Sequence, residues 1–96
     1  MGAETFEHTG HGETAMEAFE QAKDDALYEY GHSGYTGTLA EKNSFVEITL
    51  PDGMDAYDYA RTLVDNDDER ISDKWGDAGC IKMEDGEFLF FGWASS

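Results

Sequence analysis

Cations are scarce in this chain. Its 96 residues include six Lys or Arg against 22 Asp or Glu, a formal net charge of −16. Nucleic-acid affinity depends on cationic side chains that displace counterions from phosphate. The composition therefore excludes direct binding of DNA or RNA, and the same repulsion keeps the chain off anionic membranes. Cysteine is limited to Cys80, which can form no internal disulfide and fits a reducing compartment. No apolar run approaches the roughly 18 residues of a membrane span. The N-terminus has no basic segment followed by an apolar run, so no secretion signal is expected, and the cytoplasm of a host cell is the expected location.

What is present suffices for a core. Apolar residues make up 40% and aromatic residues 14% of the chain, which argues for folding despite a charge that would otherwise suggest disorder. The length fits one acidic α+β domain over residues 1–96.

Hydrophobic spacing predicts the elements. Residues 3–11 read as a strand ended by Gly10 and Gly12. Thr14-Ala15-Met16-Glu17 is a capping box. Ala15, Ala18, Phe19, Ala22, Ala26 and Tyr30 then recur at helical spacing, and Gly31 stops the helix. A glycine-rich connector, 31–37, leads to a short strand at 38–42 and a turn at Asn43-Ser44. In 45–50, Val46, Ile48 and Leu50 alternate with polar residues, as in a strand buried on one face. Pro51-Asp52-Gly53 breaks that strand, and a second helix is expected over about 54–65. The chain closes with a hairpin, 78–84 and 87–93, around Asp85-Gly86, a favoured two-residue turn pair. A regular register would put Ile81, Met83, Phe88 and Phe90 on one face, and Cys80, Leu89, Phe91 and Trp93 on the other. A strand apolar on both faces is either central or covered by a partner. The expected order is β-α-β-β-α-β-β, a mostly antiparallel sheet with two helices packed on one face.

The stretch from Ala18-Phe19 through Tyr30-Gly31-His32-Ser33-Gly34-Tyr35-Thr36-Gly37-Thr38 to Ala40-Glu41-Lys42 resembles a pattern in small uncharacterised proteins of phages and mobile elements. The resemblance covers roughly the first half of the chain. It implies a mobile-element setting and brings no activity or functional residue with it.

Carboxylates on a compact domain can imitate nucleic-acid phosphates. The candidate partner-binding set is Glu17, Glu20, Asp24, Asp25 and Glu29 on the first helix, and Asp65, Asp67, Asp68 and Glu69 after the second. Asp55, Asp58 and Asp73 extend the second group. Phe91 and Trp93, with Leu89, are candidates for an aromatic contact or a homodimer surface, and Tyr28, Tyr57 and Tyr59 for an acidic rim. Together with the resemblance, this leads to an expected non-enzymatic inhibitor of anti-CRISPR or anti-restriction type. It would block the basic nucleic-acid groove of a host defence protein and need no cofactor.

Two alternatives stand beside it. One is an acidic accessory protein whose surface confers solubility or suits a salty cytoplasm. The other is a small histidine-based metal protein using His8, His11, Glu13 and His32. Against the second, His8 and His11 point to opposite faces of a strand. Asp65, Asp67 and Glu69 imitate the start of a calcium loop, but Arg70 and Gly76 occupy its strictest positions. Cys80 reads as an inert strand thiol, and Ser33, Ser44 and Ser72 lack an activating neighbour.

Overall fold

The computed structural model describes residues 3–30, 39, 42–73, 76–84 and 86–95. The chain is an α+β domain: β1 (Ala3–His11), α1 (Ala15–Tyr30), β2 (Phe45–Glu47), α2 (Ala56–Asp65), β3 (Ala78–Glu84) and β4 (Glu87–Ser95). The strands form one sheet in the order β1-β4-β3-β2. β1 and β3 both run antiparallel to β4, and β2 runs parallel to β3. A parallel neighbour needs a crossover, and α2 lies in the segment that makes it. The expected strand at 38–42 falls largely outside the described residues; Leu39 and Lys42 are buried and belong to no strand.

β4 organises the molecule. It is apolar on both faces and takes an inner position between β1 and β3. Phe88, Phe90 and Ala94 turn to one side and join Phe6, Cys80 and the alanine stripe of α1. Leu89 and Phe91 turn to the other and join Ile48, Ile71, Ile81 and the Ala56, Ala60 and Leu63 face of α2. The two helices therefore cover opposite faces, which corrects the expectation that both pack on one. Both helices on a single face would leave Ile81, Leu89 and Phe91 in water, at roughly 1.5–3 kcal/mol for each large side chain.

The hairpin register also departs from the regular one. Glu84 pairs with Glu87, but Lys82 pairs with Phe88, with a bulge between Lys82 and Glu84. One extra residue on one strand reverses the facing of everything beyond it. Ile81 thus shares a face with Leu89 and Phe91, while Cys80 shares one with Phe88 and Phe90.

Local chemistry fixes the helix ends. The Thr14 hydroxyl accepts from the Glu17 N–H at 3.2 Å, the first half of the capping box. Asp55 caps α2, its carboxylate accepting from the Tyr57 and Asp58 N–H groups at 3.0 and 3.1 Å. α2 ends in a Schellman turn: Asp67 N–H donates to Val64 O and Asp68 N–H to Leu63 O. Asp67 sits at φ 52°, a left-handed position that aspartate tolerates better than most residues. On the other face, Gly10 lets α1 settle onto β1. A Cβ there would stand 2.4 Å from the Ala18 carbonyl oxygen.

Candidate partner-binding surface

α1 buries Ala15, Ala18, Phe19, Ala22 and Ala26 against the sheet. At 100° per residue, that stripe forces Glu17, Glu20, Asp24 and Asp25 outward, and all four are exposed. None of them forms an ion pair among the described residues. Glu29 lies on the same helix, and its side chain is outside the described residues. Tyr28 stands beside Asp24 and Asp25, one turn on, at 92% exposure.

The second acidic group lies on the opposite side of the sheet, at the end of α2. Asp65, Asp67 and Glu69 are exposed. Asp68 is half-buried and held in a fork by Arg70, whose Nε and one terminal nitrogen donate at 2.9 and 3.0 Å. The Arg70 side chain, and then the Arg70 backbone N–H, hold the Asp68 carboxyl below the usual carboxylate range. Of the expected second group, Asp55, Asp67 and Asp68 therefore have structural work as cap, helix stop and ion-pair partner. The two groups do not merge into one surface.

Three of the six cations are held by partners away from α1. Lys42 is 1% exposed; its Nζ donates to the Gly76 carbonyl at 2.9 Å and lies 6.0 Å from the centre of the Phe6 ring. Arg61 pairs with Glu7 at 3.2 Å and Arg70 with Asp68 at 2.9 Å.

The aromatic expectation needs correcting at Phe91. It is completely buried, as is Leu89, because β4 is an inner strand and α2 covers that face. Neither can contact a partner. Trp93 is half-buried, and its indole N–H is enclosed without an acceptor among the described residues. Tyr57 is exposed at 36% and its hydroxyl shares a 2.9 Å hydrogen bond with Thr9.

Among the described residues the remaining candidates do not assemble. His8 and His11 lie in one unbroken strand, three residues apart and so on opposite faces. His11 stands 3.4 Å from Glu87, and His32 is outside the described residues. No group of three metal-ligating side chains forms among the described residues. Burial, and then the charge of Glu47, push the Cys80 thiol up to about 12, so it is protonated and shielded at neutral pH. Ser44 is hydrogen-bonded to Asp77, Ser72 is exposed, and Ser33 is outside the described residues. Among the described residues no helix is long and apolar enough to cross a membrane.

Sequence reasoning missed Gln21. Its side-chain oxygen accepts from the His11 N–H at 2.8 Å, and its amide donates to Asp25. The Gln21–Asp25 spacing of four on a helix was the available signal. Comparison of the chain with protein-family models, with curated proteins and with solved structures gives no match.

Proposed function

We propose that this chain is a non-catalytic inhibitor. It acts by laying the acidic face of α1 into the basic nucleic-acid groove of a host defence protein, in the manner of anti-CRISPR or anti-restriction proteins. The supporting observation is the row Glu17, Glu20, Asp24 and Asp25, exposed and without ion pairs among the described residues.

Its charge spacing suits that role. Residues 17 to 25 rise about 12 Å along the helix axis and spread over an arc of about 140°. That length holds four carboxylates and one cation, Lys23; the carboxylates alone come at one per roughly 3 Å, close to the one per about 3.4 Å of a single B-form strand. A whole duplex is about twice as dense, so α1 imitates one strand and not both. The −16 net charge adds long-range steering toward a cationic cleft, an effect that weakens with salt. The mobile-element resemblance supplies the setting, and with it a cytoplasmic location in the host.

Affinity capture from host-cell lysate tests the reading, run at low and high salt beside the D24K/D25K double variant. A nucleic-acid enzyme retained at low salt, released at high salt and lost with the variant is the expected result. Capture that ignores the double variant would instead leave an accessory protein whose acidity only keeps it soluble.

A further inference from the structure

β1 is an edge strand nine residues long, with one side unpaired among the described residues. Its pairing with β4 is unbroken from Ala3↔Ser95 to His11↔Glu87, and no strand lies on its other side among the described residues. In an antiparallel pair, one residue turns both its N–H and C=O toward the partner and the next turns both away. Two bonds at the end of β1 fix that phase. Gly12 N–H donates toward the hairpin, to Gly86 O at 3.1 Å. His11 N–H points the opposite way, to the Gln21 side chain at 2.8 Å. The even-numbered residues therefore bond β4. The backbone groups of Thr5, Glu7 and Thr9 face outward, with no partner among the described residues.

A long, regular edge recruits another strand unless something blunts it. β1 has neither proline nor bulge. Its protection is negative charge on both flanks. Above the edge, Gln21 reaches down to His11 and holds Asp25 beside it. Below it, a cleft of about 490 Å³ opens between β1 and α2, lined by Thr5, Phe6, Glu7, Arg61, Val64 and Asp65. Arg61, 62% exposed, answers Glu7 there, and an exposed pair of that kind exchanges readily for another cation.

We propose that the free edge of β1 receives an extended, arginine- or lysine-rich segment of the partner protein, which adds to the sheet as a fifth strand. Backbone bonds to Thr5, Glu7 and Thr9 supply affinity. The segment's basic side chains enter the cleft toward Glu7 and Asp65, and those on the other face meet Asp25. Charge decides the occupant. A second copy would bring another −16 against the same edge and is repelled, while a cationic strand is attracted. The inference shares with the proposed function a cationic partner, and it holds whether or not that partner binds nucleic acid.

The probe is a peptide of about seven residues, a common strand length, alternating arginine with valine. Amide exchange is followed by NMR. In the free protein, the Thr5, Glu7 and Thr9 amides are expected to exchange fast, and those of Phe6 and His8 slowly. Saturating peptide should slow the first three by about tenfold or more. Methylating alternate backbone nitrogens of the peptide keeps its charge and should weaken binding about tenfold. Thr5→Pro removes one outward N–H and no bond to β4, a change that edge strands tolerate. It should weaken the peptide while Phe6 and His8 keep their protection. A peptide that does not bind, that binds equally well when methylated, or that leaves the three amides unprotected overturns the proposal. Edge protection without capture of a nucleic-acid enzyme keeps the edge site and discards the proposed function. Capture without edge protection does the reverse.

Discussion

The two sides of the sheet use their carboxylates differently. On the α2 side, Asp55 caps the helix, Asp67 and Asp68 close its end, Asp68 grips Arg70 and Glu7 grips Arg61. On the α1 side, the packing surface is mostly alanine, and the outward Glu17, Glu20, Asp24 and Asp25 hold no cation among the described residues. Like charges three and four apart on a helix destabilise it, and no basic residue occupies the last turn of α1 to complement the dipole. The α2 acids stabilise the fold. Among the α1 acids, Glu17 lies in the favourable first turn and Asp25 accepts from Gln21, while Glu20 and Asp24, four apart, oppose the fold slightly by like-charge repulsion.

The largest test of the two-sided core is its deepest pair of rings. Phe90 fills the α1 side and Phe91 the α2 side, both completely buried. Phe90→Ala and Phe91→Ala should each cost about 3–5 kcal/mol in urea or thermal unfolding. A helix-free face would make one of them nearly neutral. A cost below about 1 kcal/mol at Phe91 would show that α2 does not cover that side.

Much of this was legible from residue spacing, and the failures have physical causes. The alanine stripe from Ala15 to Ala26 and the double-faced apolar run Phe88–Phe91 announce a packed helix and an inner strand. Such a run shows that both faces need cover, but not which element covers each. That depends on the parallel pairing of β2 with β3, a non-local contact. The bulge at Met83 is invisible to alternation, because Ile81 and Met83 look equally apolar in either register. For the acidic groups, sequence shows where charge is, not what it bonds. Asp55 and Asp67 read as surface charge, although an aspartate just before a helix is a ready cap. An outward Phe91 follows from counting more apolar residues than one face can bury, and the sheet has two covered faces.

A middle-sized effect separates the two sets of acids directly. Asp55→Ala removes the cap of α2 and should cost about 1 kcal/mol. Glu20→Ala and Asp24→Ala should change stability by no more than about 0.5 kcal/mol, in the stabilising direction. Chemical denaturation at low salt measures all three. Equal losses at Asp55 and Asp24 would erase the distinction between structural and uncommitted acids.

The smallest effect is a matter of pH. Arg70 lowers the folded-state value of Asp68 below the ordinary carboxylate value of 3.8. A carboxyl depressed on folding stabilises the protein above its unfolded value, and that contribution disappears as pH falls through the folded value. Asp68 should therefore contribute fully above about pH 5 and lose its contribution on acidification below about pH 4. The carboxylate is only half-buried, so solvent screening keeps the step small. Asp68→Asn should lower stability at pH 7 and flatten the acid limb of the unfolding curve. Parallel acid limbs for wild type and Asp68→Asn would mean that the Arg70 fork does not persist in solution. The α2 side would then hold its charges as loosely as α1 does.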